Sequence, residues 1–381
     1  MLLYERIKDF KSWVKQMKYY SLPSDFKKET IDKYMRLNEN YQESKVQETY
    51  GNVTLGNIYG SGRSADTLPA LDEEKLRQYV KYSLEHGIKF DYTLNAPSLK
   101  NLEITKEGLP KIKEFLKILC DMGIDSITVS LPSLVEIVKT LNPEIKIKVS
   151  AISTINTPNK ALDYKMMGVD RIVVEEAINR DFETLKNIVK SFGDNVEVIT
   201  NVVCYRNCIY RQFHYNSYIF DSIEYGSSYK YYITRCSQRM LNNPSIFLKN
   251  SWIRPEDICE YEKIGINHFK IQGRDIIKTA DPAKALEYYF KGEFEGNLWQ
   301  LIMLFDKNFI PSVYIDNKKL NGFIRPFVDK SGFCKNMCNN CGYCDSFVDK
   351  VMDVSKVNRF RGYVNSKAYD KFSSDLLDLK D

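Results

Sequence analysis

The sequence predicts an α/β fold, a (β/α)8 TIM-type barrel with an N-terminal helical extension and a C-terminal cysteine-rich extension. From about residue 53, short apolar strands alternate with amphipathic helices, which is typical of a parallel sheet. A helix–Gly–x–Asp–strand phrase recurs at Gly123 and Gly168, and a Gly-Ile-Asn version follows at Gly265. Eight units of this length fit a closed barrel. An open doubly wound sheet is the alternative, but Gly60-Ser-Gly62 lacks the spacing of a phosphate-binding loop.

The chain divides into four predicted parts. Residues 1–52 form a helical extension, because Leu3, Ile7, Phe10 and Val14 recur at helical spacing. Residues 53–291 form the barrel. Residues 292–354 form an accessory segment that carries a dense cysteine motif, and residues 355–381 form a tail.

The predicted barrel elements follow from apolar runs and from helix-capping residues. Thr157 and Pro158 are typical of a helix start, and Gly168 is typical of a helix end. Predicted helices include Asp72–Glu85, Leu109–Met122, Leu134–Leu141, Pro158–Met167 and Phe182–Ser191. The predicted strands are Val53–Tyr59, Ile88–Leu94, Ser126–Ser130, Ile145–Ile152, Arg171–Val174, Val196–Val203, Tyr231–Arg235 and His268–Ile271.

The accessory segment holds four cysteines close together. Cys334, Cys338, Cys341 and Cys344 are separated by three, two and two residues. Four thiolates in one short run are typical of a 4Fe–4S cluster. Structural zinc also takes four thiolates, although two separated CxxC knuckles are its usual pattern. The sequence therefore predicts a metal centre and leaves both metals open.

The barrel region carries a second set of cysteines. Cys204 and Cys208 follow one predicted strand, Cys236 ends the next, and Cys259 opens the helix before the last strand. Neighbouring strands of a barrel would bring these four together, which predicts a second metal or cluster site. The alternative is that they are buried as small hydrophobic residues, an interpretation that also suits Cys120.

Polar residues stand at the predicted strand ends, where barrel enzymes place their active sites. Glu175 or Glu176 is the candidate proton donor or base, Arg274 the candidate anion-binding residue, and Asn201 a further candidate catalytic residue. Only one of the two glutamates can face the barrel axis, because successive strand residues point to opposite sides. The other polar strand-end residues are Ser61, Arg63, Asn95, Ser130, Ser150, Thr154, Asn156 and Gln272.

The composition narrows the classes of protein to which this chain can belong. The chain has 381 residues, nine cysteines, three histidines and a net charge of +5. There is no long apolar run and no signal-peptide pattern, so we expect a cytoplasmic protein without a membrane span, in which thiols stay reduced. There is no HExxH zinc helix and no Gly-x-Ser-x-Gly turn, so a hydrolase mechanism finds little support.

Several stretches together resemble peptidase family U32, the collagenase-like peptidases of unassigned catalytic type. Lys270-Ile-Gln-Gly-Arg274 is similar to the family's Lys-Ile-Glu-Gly-Arg signature, and Val203-Cys204 is similar to the end of its His-Gly-Ala-Leu-Cys motif. The other matching stretches are Ile145–Asn156, Gly168–Val174 and Arg254–Cys259.

The resemblance implies a TIM-type barrel with a 4Fe–4S cluster held by Cys204, Cys208, Cys236 and Cys259. This chain departs from the family where His-Gly becomes Asn201-Val202 and where Arg-Glu becomes Glu176-Ala177. The family includes proteins for oxygen-independent hydroxylation of ubiquinone and of RNA bases. With the motif at Cys334–Cys344, two clusters are expected.

Three functions follow as hypotheses. The first is an iron–sulfur enzyme for oxygen-independent hydroxylation or another redox modification. Its substrate would be RNA, a peptide or an aromatic small molecule, and an electron donor or a homologous partner protein would assist. The second is a peptidase. The third is a cluster-bearing protein that binds RNA or protein without chemistry of its own.

Overall fold

Eight parallel strands close a barrel in chain order, with β1 paired to both β2 and β8. The computed structural model describes residues 16–54, 61–63, 67–223, 229–308 and 313–362. The predicted TIM-type barrel is thus confirmed. The strands are β1 (Lys18–Pro23), β2 (Ser44–Gly51), β3 (Lys89–Leu94), β4 (Ser126–Val129), β5 (Lys146–Val149), β6 (Arg171–Val173), β7 (Val196–Ile199) and β8 (His268–Lys270).

Helices surround the barrel and continue into the C-terminal segment. Those between strands are α1 (Lys28–Asn40), α2 (Glu73–Glu85), α3 (Gly108–Asp121), α4 (Pro132–Leu141), α5 (Pro158–Met166), α6 (Phe182–Phe192), α7 (Arg211–Ile223), α8 (Tyr229–Asn242), α9 (Ser245–Lys249) and α10 (Ile258–Glu262). Those after β8 are α11 (Pro282–Lys291), α12 (Leu298–Ile302), α13 (Arg325–Asp329), α14 (Cys338–Cys341) and α15 (Val348–Val351).

The strands β3 to β8 and the helices α2 to α6 lie where the sequence predicts them, within a few residues. The Thr157 hydroxyl accepts a hydrogen bond from the Lys160 N–H at the start of α5, which confirms the predicted cap. Gly168 follows this helix with a φ of +78°, a conformation that glycine adopts without strain.

The prediction of an entirely helical N-terminal extension is wrong. The barrel begins at Lys18, and its first two strands lie inside the segment assigned to that extension. The strand predicted at Val53–Tyr59 is replaced by β2, which ends at Gly51; residues 55–60 lie outside the described part of the chain. The amphipathic pattern of Leu3 to Val14 likewise falls on residues that the structure does not describe.

The strand predicted at Tyr231–Arg235 is also wrong, because these residues lie in α8. Their aromatic side chains favour strands in isolation, but here they make contacts along a helix face. The Tyr232 ring lies 6.2 Å from the ring of Tyr210 and 5.4 Å from that of His214. Cys236 therefore lies on a helix that packs against the segment following β7.

The interior of the barrel is charged. In the strands, alternate residues point inward, and these include Glu48, Lys148, Arg171 and Glu197. The Lys148 amine contacts Glu48 and lies 3.3 Å from Glu197, while Arg171 lies 3.1 and 3.2 Å from the same two carboxylates. Other strand residues are apolar and pack against the helices, as Phe90 does against Tyr79 of α2.

The C-terminal segment shares its core with the barrel. Phe323, Phe327, Val351 and Val357 belong to the same cluster of buried apolar residues as the barrel strands and helices. Arg254 links the two parts, since its guanidinium pairs with Asp257 and also donates to the carbonyl of Asn317. In the part of the chain that the structure describes, no helix is long and apolar enough to span a membrane.

Candidate functional site

The four cysteines of the accessory segment line one cavity of about 240 Å³, which we call the thiol cavity. Cys338 and Cys341 begin and end α14, and Gly342 turns the chain with a φ of +63° so that Cys344 returns to the same cavity. All four thiols are free. The other lining residues are Lys249, Phe327, Phe333, Lys335, Asn336, Met337, Asn340, Gly342, Tyr343 and Asp345.

Positive side chains surround the thiol cavity. The Arg206 guanidinium donates to the Cys334 sulfur at 2.9 Å and, through Nε, to the Ala177 carbonyl at 2.8 Å. Lys249 lines the cavity, where Asp345 lies 2.9 Å from its amine. These contacts place two cations beside the thiols.

A third cation, Arg180, lies behind the thiol cavity. Its guanidinium is 4.4 Å from the Trp252 ring centroid and 5.0 Å from that of Phe323, and its Nε is buried without a hydrogen-bond partner. Burial raises the pKa of Cys344 to about 11, while Arg180 acts in the opposite direction. A buried cation that favours the thiolate suits a ligand group with net negative charge.

The donor set and the surrounding charge fit a four-thiolate cofactor at this cavity. Cys334, Cys338, Cys341 and Cys344 would supply the ligands, and a thiolate cluster would gain from neighbouring cations. Among the described residues, no group of three or more histidine, cysteine, aspartate or glutamate side chains is arranged around a single metal ion. In a cluster each thiolate binds a different iron, so its sulfurs do not converge on one point.

Three of the four barrel cysteines, Cys204, Cys208 and Cys236, lie near one another. Cys204 packs against Val173 and Ile199 at the strand ends. Cys236 lies on α8 between Tyr232 and Arg239. The Tyr232 ring contacts Tyr210 and His214, and the Arg239 guanidinium lies 4.4 Å from the Tyr205 ring. Cys236 therefore faces the segment that carries Cys204 and Cys208. Burial, then the charges of Cys204 and Cys208, raise the pKa of the Cys236 thiol to about 12.

Cys259 lies apart from the other three. It is exposed on α10, where its thiol contacts the Glu256 carbonyl and the Glu260 carboxylate, and Arg325 of α13 pairs with that same carboxylate at 2.8 Å. The structure thus does not bring Cys259 to the barrel cysteines. Cys120 is half-buried on α3 and packs against the apolar core.

A second cavity, which we call the barrel pocket, opens at the carboxyl ends of the strands. Its volume is about 40 Å³. Several predicted strand-end residues meet there, together with residues from inside the strands. The lining residues are Tyr50, Arg63, Thr93, Asn95, Thr128, Ser150, Ala151, Ile152, Val173, Glu176, Ile199, Tyr215, Lys270, Gln272 and Arg274.

Arg274 is held in the barrel pocket by neutral groups. Its guanidinium donates to Asn52 Oδ1 at 2.8 Å, to Ser61 Oγ at 3.4 Å and to Asn95 Oδ1 at 3.2 Å. Burial and the neighbouring Arg63 lower the pKa of Arg274 to about 10. Arg63 has a partly exposed partner, Asp275, at 3.8 Å. Two arginines, Arg63 and Arg274, thus line the pocket together with the buried carboxylate of Glu176.

Of the two candidate glutamates, Glu176 lines the barrel pocket. It is buried, accepts a hydrogen bond from the Tyr215 hydroxyl at 3.3 Å and lies 3.6 Å from Arg211. Glu175 accepts from Asn156 at 2.7 Å and from Arg211 at 3.2 Å. Of the two carboxylates, Glu176 is thus the one that faces the pocket.

Asn201 has a positioning role in this geometry. Its amide nitrogen donates to the carbonyls of Gln272 and Ile302, and its oxygen accepts from the Gln272 N–H at 2.8 Å. Backbone groups thus occupy its donor and acceptor, and the side chain joins the ends of β7 and β8 to α12.

Several site residues were missed from the sequence. Lys270 lies in the stretch Lys270–Arg274 that resembles the family signature, but only Arg274 of that stretch is predicted to be a site residue. Arg206 lies 128 residues before its partner Cys334, and Arg180 and Lys249 are also far from the motif in sequence, so the spacing of the cysteines does not predict these contacts. For Lys270, a signal existed in the alternation of polar and apolar residues along His268-Phe-Lys270.

The fold and site define a (β/α)8 barrel protein with a cysteine-lined C-terminal segment and a polar pocket at the strand ends. The chain belongs to peptidase family U32, whose profile matches residues 45–289. The resemblance seen in the sequence is thereby confirmed.

Individual relatives extend over most of the chain. An uncharacterized protease of Methanocaldococcus jannaschii is 26% identical over 340 residues, which is 88% of this chain and 98% of that protein. A solved U32 peptidase structure has 18% identity and a TM-score of 0.49, covering 67% of this chain and 92% of its own. A crystal structure of the citrate synthase SbnG has 12% identity and a TM-score of 0.33, covering 72% and 91%.

Proposed function

We propose that this protein is an iron–sulfur redox enzyme, with a 4Fe–4S cluster in the thiol cavity and an anionic substrate in the barrel pocket. The reaction would be an oxygen-independent hydroxylation or another redox modification of a small molecule, RNA or peptide. The observation that carries the proposal is that Cys334, Cys338, Cys341 and Cys344 line one cavity. An electron donor is required, and reduced thiols suit a cytoplasmic location.

The thiol cavity, about 240 Å³ in volume, has room for a group larger than a single metal ion. A single zinc would draw all four sulfurs to about 2.3 Å from one point. A cluster fills more space, and it carries a net charge that Arg206, Lys249 and Arg180 would offset.

When bound, a cluster accepts and donates single electrons. The residues of the chain hold it and prepare the substrate. Arg206 donates a hydrogen bond to the Cys334 sulfur and so holds it in place. Because Arg206 is two residues from both Cys204 and Cys208, it also connects the thiol cavity to the segment that follows β7. Arg274 holds a substrate anion, and Glu176 holds or takes a proton.

The second expected cluster is a separate proposal. Cys204, Cys208 and Cys236 share one face, and Cys259 lies elsewhere on the surface. If a cluster forms at this face, we infer that it draws on those three thiols and that Cys259 is dispensable. The proposal for the thiol cavity does not depend on it.

The test is the iron and acid-labile sulfide content of protein purified without oxygen, together with its visible spectrum. One cluster corresponds to about four iron atoms per chain and two clusters to about eight. Cys338→Ala should lose about four iron atoms, whereas Cys120→Ala, a cysteine outside both sites, should lose none. Cys236→Ala and Cys259→Ala test the barrel cysteines in the same way.

The outcomes separate the candidate functions. Iron unchanged by Cys338→Ala would refute the cluster in the thiol cavity. Zinc without iron would overturn the redox proposal and favour the hydrolysis of peptide bonds that the name of the archaeal relative indicates. Peptide cleavage that survives Cys338→Ala would support that alternative. Iron with salt-sensitive RNA binding but no redox turnover would support a binding protein without chemistry.

A further inference from the structure

Lys270 is a buried lysine that opens into the barrel pocket. It is the last residue of β8, and only 9% of it is exposed. Its amine lies 3.4 Å from the centroid of the Tyr50 ring and 4.0 Å from Glu197 Oε1. The pocket lining includes Lys270. An amine in this position can meet a molecule that enters from the strand ends.

The other lysine of the barrel interior has a different environment. Lys148 contacts Glu48 directly and lies 3.3 Å from Glu197, so two carboxylates hold it as an ammonium ion. The Lys270 amine lies farther from Glu197, at 4.0 Å from its Oε1. The face of the Tyr50 ring lies nearer, at 3.4 Å, but an aromatic ring binds a cation more weakly than a carboxylate does.

The charged groups facing Lys270 are Lys148, Glu197, Asp91 and Glu48, on four different strands. Burial, followed by the repulsion of Lys148, lowers the pKa of Lys270 to about 7, although the three carboxylates act in the opposite direction. About half of the amine is therefore neutral near pH 7. A lysine of ordinary pKa near 10.4 has roughly 1,000-fold less neutral amine at that pH.

The same pocket holds a second buried cation, Arg274. Among the described residues, the hydrogen bonds of Arg274 all go to amide and hydroxyl oxygens. A buried guanidinium of this kind gains most from a carboxylate or phosphate placed against it. The Arg274 guanidinium carbon lies 5.8 Å from the centroid of the same Tyr50 ring that Lys270 touches.

The size of the pocket limits what enters. A volume of about 40 Å³ has room for roughly three water-sized groups. That space suits a carboxylate with an adjoining carbonyl group, either as a small free molecule or as the end of a longer one.

From this geometry, we propose that Lys270 is a nucleophilic lysine that forms an imine with the carbonyl carbon of a small anionic aldehyde or ketone held by Arg274. The neutral amine adds to the carbonyl carbon, and the carbonyl oxygen, with two protons, leaves as water. A C=N bond replaces the C=O bond, and no atom changes its oxidation state. The inference goes beyond the redox proposal, because this step requires neither iron nor sulfide.

The experiment is reductive trapping with glyoxylate, a two-carbon aldehyde that carries a carboxylate. The full-length protein is incubated with glyoxylate and cyanoborohydride at pH 7, digested and mapped by mass spectrometry. One carboxymethyl group on Lys270 is the expected result. Labelling spread over the exposed lysines, with Lys270 unmodified, would overturn the proposal. This test uses the wild-type chain and therefore does not depend on the folding of a variant.

Variants and a second aldehyde test the roles of Lys270 and Arg274 separately. Lys270→Met should abolish the adduct, whereas Lys319→Met, an exposed surface lysine, should leave it unchanged. Arg274→Gln should reduce labelling by glyoxylate by about 10- to 100-fold, the loss of a hydrogen bond to a charged group. Acetaldehyde, which lacks the carboxylate, should label Lys270 weakly; equal labelling by both aldehydes would refute the role of Arg274.

The pH dependence provides an independent readout. Labelling of Lys270 should rise with a midpoint near pH 7, whereas labelling of ordinary lysines should rise only toward pH 10. A midpoint for Lys270 near pH 10 would show that its amine is protonated under working conditions and would overturn the proposal.

Discussion

Replacement of Lys148 by methionine should destabilise the protein strongly. The Lys148 amine contacts Glu48 and lies 3.3 Å from Glu197 Oε2, and these side chains are almost completely buried. After the substitution, Arg171 remains 3.1 and 3.2 Å from the two carboxylates, and Lys270 remains 4.0 Å from Glu197. The two buried carboxylates would then have lost their common ammonium partner.

The magnitude follows from the distances. At an effective dielectric constant of about 20, two unit charges 3.3 Å apart interact by roughly 5 kcal/mol. Removal of one partner from a buried ion pair typically costs about 3–5 kcal/mol. Because methionine also avoids the desolvation of the ammonium group, we expect a loss within that range and not above it.

The assay is urea unfolding followed by tryptophan fluorescence, since Trp252 is buried. Lys318→Met is the matched control: Lys318 pairs with Glu295 on the surface, where both side chains are mostly exposed, and no measurable change is expected. Adding Glu48→Gln to Lys148→Met should restore part of the lost stability. A loss below about 1 kcal/mol for Lys148→Met would refute the charged network as a source of stability.

Four further predictions concern the two cavities and their supports. Arg206→Gln should weaken cluster retention by about 10- to 100-fold, measured as iron release to a chelator, because it removes the N–H donor to Cys334. Arg274→Gln should not lower the unfolding midpoint, since it removes a buried charge without a carboxylate hydrogen-bond partner; a clear decrease would contradict this account. Asn201→Ala should cost about 3 kcal/mol of unfolding free energy, because buried backbone groups lose their partners. Burial, with repulsion from Arg171, lowers the pKa of His268 to about 4, so wild-type stability should fall as pH drops from about 6.5 toward 4, and His268→Phe should flatten that slope in urea titrations.

The sequence predicted the later part of the barrel better than its beginning. The strands β4 to β7 carry enough Val and Ile to be recognised as strands. In β2, by contrast, Glu48 and Gln47 interrupt the apolar pattern, because the barrel interior is charged and the apolar residues face outward. A buried carboxylate at a strand centre looks like a surface residue until its partners Lys148 and Arg171 are known.

The candidate site shows the same limit. The spacing of Cys334 to Cys344 was sufficient to predict that these four lie together, because they are local in the chain. The grouping of Cys259 with Cys236 relied on a strand at Tyr231–Arg235, and that stretch is helical. Contacts between distant segments, such as Arg206 with Cys334, depend on tertiary packing that spacing does not encode.

The iron–sulfur proposal is tested most directly by crystallography of anaerobically prepared protein, with anomalous data collected on both sides of the iron absorption edge. We predict a compact group of iron peaks inside the cavity lined by Cys334, Cys338, Cys341 and Cys344. A single peak at the zinc edge in that cavity, or iron located elsewhere with all four thiols unbound, would contradict it.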